Sequence, residues 1–130
     1  MASIFTKIIN KEISAHIIAE NNDFLAFLDI NPLVLGHILL IPKIEVDYIF
    51  DIENNLLSKM IIFAKEIALA QKKVIDCKRI GVAVIGLEVP HAHIHLVPLN
   101  TVNDINFSLP KLKPTQIELE NIAKKIRSQF

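Results

Sequence analysis

The chain has 130 residues with 14 basic and 14 acidic side chains, and 52% of them are hydrophobic. That length suits one domain with a real core, burying about 60–70% of its unfolded surface, and the balanced charge excludes the basic footprint of a nucleic-acid binder or a polybasic membrane anchor. The mean hydropathy of +0.41 is high, yet no run reaches the roughly 18–20 apolar residues of a spanning helix; the longest candidate, Met60 to Ala70, is broken by Lys65 and Glu66. The apolar excess therefore implies a buried interface between copies of the chain, with no membrane and no nucleic acid among its partners. The single cysteine, Cys77, allows no internal disulfide, and Met1 to Lys7 hold no signal-peptide core. Both point to the cytoplasm.

Ser3 can cap a short helix to about Asn10, with Ile4, Phe5, Ile8 and Ile9 as its apolar side. Ile17 to Glu20 and Phe24 to Leu28 are short apolar runs around the turn residues Asn21-Asn22-Asp23, which reads as a hairpin. A loop over Asp29-Ile30-Asn31-Pro32 ends at Gly36, and His37 to Ile41 is a third strand stopped by Pro42. Asp51 can cap a long helix over about 52–75, whose apolar residues Leu56, Met60, Phe63, Ala64, Ile67 and Ala68 recur at intervals of three and four. Ile80 to Ile85 is a fourth strand and Glu88 to Leu99 a fifth. Residues 100–113 are irregular, and Thr115 can cap a final helix over 116–128 with Ile117, Ile122 and Ile126 as anchors. Short connections between strands favour antiparallel pairing. The result is an α+β domain spanning 1–130, with a core over about 3–99 and a C-terminal segment over 100–130.

The fifth strand holds the chemistry. In Pro90-His91-Ala92-His93-Ile94-His95-Leu96-Val97-Pro98, three of the five histidines stand at alternate positions. In extended chain they share one face, about 6–7 Å apart, while Ala92, Ile94 and Leu96 face an apolar layer. Three readings follow. The row could chelate a metal, since imidazole suits zinc, copper and iron. It could carry nucleophilic catalysis at phosphorus, with one ring held in the correct tautomer and the others donating to phosphate oxygens. Or it could fill polar positions on an exposed face. The middle ring, flanked by the other two, is best placed as a nucleophile.

His91-Ala92-His93-Ile94-His95-Leu96-Val97 resembles the His-x-His-x-His-x-x signature of the histidine triad superfamily. Ser3 to Ile13 is similar to the opening of its Hint branch, as are Phe27 to Pro32 and Gly36 to Lys43 to its next landmarks. The resemblance implies a five-stranded antiparallel sheet with helices, joined across a homodimer, that binds purine nucleotides resembling adenosine monophosphate. It implies cleavage at the α-phosphorus of nucleoside phosphoramidates, acyl-adenylates or dinucleoside polyphosphates. Carried over by position, His93 would be the nucleophile, His95 and His37 would donate to phosphate oxygens, and His91 would orient its neighbour. Asp29 would accept from the ribose hydroxyls, and Phe5, Ile8, Phe27 and Ile30 would line the base pocket.

Two departures stand out. Many bacterial members hold a structural zinc through two cysteines, a histidine after the third strand and the first motif histidine. Here those positions are Ser3, Thr6, Glu45 and His91, so neither zinc nor another cofactor is expected. The loop before the motif is short, Gly86 matches the family glycine, and Glu88 stands where a hydroxyl normally assists the leaving group. Glu88 could repel phosphate, act as a general acid or hold a histidine cationic. The alternatives are a non-catalytic nucleotide-binding dimer with an altered loop, and a metalloprotein using the histidine row.

Overall fold

A computed structural model describes residues 2–130. Five strands, β1 (Ile17–Glu20), β2 (Phe24–Leu28), β3 (Ile38–Pro42), β4 (Arg79–Ala83) and β5 (Ile94–Leu99), form one sheet in the order β1-β2-β3-β5-β4. All neighbouring strands are antiparallel. Three α-helices accompany them: α1 (Ile4–Ile9), α2 (Asn54–Val74) and α3 (Gln116–Arg127). Among the described residues, no helix is long and apolar enough to cross a membrane.

Strand alternation divides the sheet into two chemically different faces. Phe24, Ala26 and Leu28 of β2, Ile38 and Leu40 of β3, and Ile94 and Leu96 of β5 pack with Met60, Ala64 and Ile67 of α2 and with Leu119, Ala123 and Ile126 of α3. The intervening residues Leu25, Phe27, Leu39 and Ile41 pack on the other face, under Phe5 and Ile8 of α1. Helices therefore lie on both faces of the sheet. The short α1 leaves most of its face free, and that is where the histidines project.

Several boundaries differ from those read in the sequence. The long helix starts at Asn54, because Glu53 accepts from the Asn55 and Leu56 N–H groups; Asp51 belongs to a separate 3-10 turn, Ile49–Asp51. β5 begins at Ile94, since His91 N–H turns back to Val89 O and Ala92 N–H donates to Val46 O before the ladder starts. β4 ends at Ala83, opposite His95, because the partner strand has run out of ladder beyond that point. Residues 102–105 form a 3-10 turn inside the segment expected to be irregular. In α3 the buried side is Leu119, Ala123 and Ile126, whereas Ile117 is exposed. The Thr115 cap is present and is reciprocated by Glu118.

Two local features fix the strands that carry the site. Gly36 takes φ +93° in the turn entering β3, and a Cβ there would meet Ile75 at 2.9 Å, so the tight turn needs glycine. Gln71, fully buried in α2, donates from Nε2 to Gly36 O (2.7 Å) and Leu96 O (2.9 Å). It thereby ties the helix to the turn before β3 and to β5. Replacing Gln71 by Leu removes both bonds, and the expected cost is about 2 kcal/mol. A urea unfolding curve should show a lower midpoint at unchanged slope.

Candidate active site

His37, His91, His93 and His95 are all buried on the α1 face of the sheet. Position follows from register. Leu39 of β3 pairs with His95 of β5, and His37, two residues before Leu39, points to the same side. The His37 and His95 rings lie 5.2 Å apart between centroids, and His95 and His93 4.9 Å apart. Although the ladder begins only at Ile94, the alternation continues upstream: Ala92 joins the α2 face, while His91 and His93 meet the Phe5 ring edge to face at 5.9 and 5.0 Å.

Hydrogen bonds to fixed partners set the tautomers. A carbonyl can only accept, so the 2.7 Å contact between His93 Nδ1 and His91 O places a proton on Nδ1. In the neutral ring the lone pair is then on Nε2, and among the described residues no group engages that atom. Leu33 N–H donates to His37 Nδ1 at 3.1 Å, which leaves the single proton of the neutral ring on Nε2, donating to His95 Nδ1 at 2.9 Å. His95 in turn carries its proton on Nε2, also without a partner among the described residues. The result is a polarised chain from the Leu33 amide through two imidazoles to a free N–H beside a free lone pair. Burial, aided by the neighbouring histidines and Lys111, lowers the pKa of His37 to about 3 and that of His95 to about 4. Both rings are neutral near pH 7.

Asp29 follows β2 on the same face. Its Oδ1 accepts from Asn31 N–H (2.9 Å), and its Oδ2 lies 3.9 Å from His37 Nε2. Burial raises its pKa; the Asn31 amide, His93 and Lys111 oppose that shift, and the charge of Glu88 adds to it. Phe5, Ile8 and Phe27 form one apolar cluster, with Phe5 and Phe27 in edge contact at 5.6 Å, whereas Ile30 is half exposed in the following loop. Gly86 adopts φ +71° in an open turn where a Cβ would meet nothing within 4 Å. Glu88 is exposed on that turn and, among the described residues, neither bonds nor ion-pairs with a histidine. One contributor escaped the sequence reading. Phe107, from the segment after β5, packs edge on against His95 at 4.7 Å and His37 at 6.3 Å. No motif marks it; it is a lone aromatic in a polar stretch.

Ser3, Thr6, Glu45 and His91 converge as the zinc comparison anticipates, but their chemistry does not suit the metal. His91 Nε2 donates to Pro42 O (2.9 Å), and its Nδ1 accepts from the Ser3 hydroxyl (2.9 Å). Ser3 Oγ caps Thr6 N–H, while Ser3 N–H and Thr6 Oγ1 both donate to Glu45 Oε1. Two neutral hydroxyls and an imidazole with both nitrogens engaged are a hydrogen-bonding set, not a zinc set. A different trio, Asp29, His37 and His95, brings its ligand atoms within 4.8 Å of one another, though both His37 nitrogens are already engaged.

The Ser3 amide, then the Thr6 and Ser3 hydroxyls, lower the pKa of Glu45 to about 2 from 4.5. Its contribution to stability is therefore complete above pH 4.5 and lost as pH falls toward about 2. Glu45→Gln should lower Tm at neutral pH, and the wild-type and variant Tm curves should converge in acid. Thermal melts at a series of pH values check this.

Comparison with known proteins adds a second line of support. Residues 10–102 match the model of the HIT domain. An uncharacterized HIT-like protein of Borreliella burgdorferi is 30% identical over 131 residues, covering 89% of this chain and 94% of that protein. The purine nucleoside phosphoramidase of Escherichia coli is 33% identical over 105 residues, covering 73% and 85%. Among solved structures, a Hit-like protein from Bartonella henselae superimposes with a TM-score of 0.84 at 32% identity, covering 98% of this chain and 96% of that one. With its paired histidines and two-faced sheet, the chain belongs to the HIT domain family.

Proposed function

We propose that this protein is a purine nucleotide hydrolase or transferase that cleaves at the α-phosphorus through a nucleotidyl-histidine intermediate on His93. Nucleoside phosphoramidates are the leading substrates, with acyl-adenylates and dinucleoside polyphosphates in the same class. The observation that carries the reading is the His93 Nδ1–H bond to His91 O, which leaves the Nε2 lone pair free on a ring 4.9 Å from that of His95, whose Nε2–H is also free. The name of the Escherichia coli relative agrees with it. The single, half-buried Cys77 agrees with a cytoplasmic setting.

In the proposed reaction, Nε2 of His93 attacks phosphorus in line with the departing nitrogen. The N–P bond to His93 forms as the substrate P–N bond breaks, and the departing nitrogen takes its proton from solvent water admitted at the open turn of Gly86 and Glu88. Nε2–H of His95 donates to a non-bridging oxygen, where charge accumulates. His37 acts one step back by fixing the tautomer of His95, and His91 acts through its carbonyl. Water then breaks the N–P bond, giving the nucleoside monophosphate and restoring His93. Asp29 accepts from the ribose, and the Phe5, Ile8 and Phe27 cluster faces the base, with Ile30 at the rim. Brief mixing with adenosine phosphoramidate should give an adenylyl adduct on His93 by intact-protein mass spectrometry. His93→Ala should lose the adduct and about 10³-fold or more in turnover. Undiminished turnover in that variant overturns the reading, and binding of adenosine monophosphate without an adduct would favour a non-catalytic nucleotide binder.

The working unit is a homodimer. β4 is a sheet edge, and beside it lies an apolar groove lined by Ile61, Ala64, Ala68, Ile80 and Val82. Ile61 and Val82 are more than half exposed. A second copy pairing along β4 would satisfy the open ladder and cover the groove together. Val82→Lys should convert a dimer into a monomer in sedimentation velocity; a monomeric wild type counts against the pairing.

A further inference from the structure

The segment after β5 runs back across the histidines, and it brings a cation with it. Phe107 lies against His95 and His37. Lys111 folds over that ring, with Nζ 5.7 Å from the ring centroid and donating to Phe107 O at 2.8 Å and, more weakly, to Leu109 O at 3.4 Å. One residue later, Leu112 N–H donates to Pro32 O at 2.9 Å, which ties this strap to the loop that carries Asp29. The Lys111 amine is therefore held by carbonyls of the strap, and the strap is tied to the neighbouring loop one residue later. Those carbonyls occupy two of its three protons. Among the described residues, no carboxylate forms an ion pair with it.

The electrostatics around the row give that position a purpose. A nucleotide brings at least one full negative charge, yet the donor offered by the row, His95, is a neutral ring near pH 7, and His37, whose nitrogens are both engaged, is neutral behind it. Asp29 sits on the same side, and Glu88 adds negative charge at the rim. Among the lysines and arginines, Lys111 is the one whose charge reaches Asp29, His37 and His95 alike. Without it, a phosphate would enter beside Asp29, with Glu88 at the rim and no other lysine or arginine acting on Asp29. Neutral N–H donors can shape an anion site, but a charge-assisted contact is about twice as strong as a neutral one.

We propose that Lys111, carried over the histidines on the Phe107 strap, recognises the anionic phosphate of the bound nucleotide and distinguishes a nucleotide from its uncharged nucleoside. This rests on the nucleotide reading of the site given above. Phe107 acts as the positioning residue that holds the amine over the row. The amine keeps its carbonyl contact and turns its remaining proton to the phosphate.

Calorimetric titration of the protein with adenosine monophosphate and, separately, with adenosine tests this. In Lys111→Ala the monophosphate should bind about tenfold more weakly, the loss of one charge-assisted contact, with adenosine affinity unchanged. Lys111→Arg should restore most of the difference. If the affinity ratio of monophosphate to adenosine is the same in Lys111→Ala as in the wild type, Lys111 does not read the phosphate, and equal weakening of both ligands would assign it to strap packing alone. A wild type that binds neither ligand overturns the nucleotide reading itself, and the proposal with it. These outcomes are distinguishable because only the last is seen without any variant.

Discussion

The 2.7 Å hydrogen bond from His93 Nδ1 to the carbonyl of His91 decides which nitrogen of that ring faces the site. Much of the rest of the structure serves to keep that carbonyl in place. His91 lies outside the regular ladder of β5, where no strand partner fixes its backbone. Its side chain supplies the missing restraint, bonded to Pro42 at the end of β3 and to Ser3 at the start of α1. The ring of His91 thus anchors the backbone atom that orients the ring of His93. A residue that never touches substrate can in this way govern the direction of a lone pair.

The second constraint is the difference between the two faces of the sheet. On one side, aliphatic residues of β2, β3 and β5 meet two amphipathic helices and make the larger core. On the other, only a short helix covers the strands, and the remaining area holds four buried imidazoles, whose partners are one another, backbone groups, the Ser3 hydroxyl and aromatic edges. Burial, reinforced by the neighbouring histidines and Lys111, keeps His37 and His95 uncharged even with Asp29 3.9 Å from His37, and uncharged rings can hold a fixed order of donors and acceptors. Protonating either would break the chain that begins at Leu33 N–H. The same burial that makes the row costly to charge makes its tautomers definite.

The histidine row was legible because strand alternation is a rigid rule. The apolar partners Ala92, Ile94 and Leu96 mark the buried face as clearly as the histidines mark the other. The hairpin of β1 and β2, the α3 cap at Thr115 and the position of β3 were legible for similarly local reasons. What was not legible depended on distant partners. Nothing near Gln71 says that its amide will meet Gly36 and Leu96 across the core. Nothing near Phe107 says that a chain reversal will lay it on His95. The start of β5 was misplaced because Val89 to Ala92 has the pattern of a strand while its hydrogen bonds go to a turn and to Val46. The zinc-site positions were located by resemblance, but the web that joins Ser3, Thr6, Glu45 and His91 needed coordinates.

That web sets the conditions under which the site holds together. Cysteine thiolates at the positions of Ser3 and Thr6 would expose the start of α1 to oxidants and chelators, since thiolates both oxidise and exchange metal. Hydroxyls and a carboxylate do neither. The integrity of the face that carries Phe5 and the histidines is linked here to proton concentration, through Glu45, and not to redox poise or metal supply. Oxidants or a shortage of transition metals would leave this tie intact, whereas strong acid would loosen it.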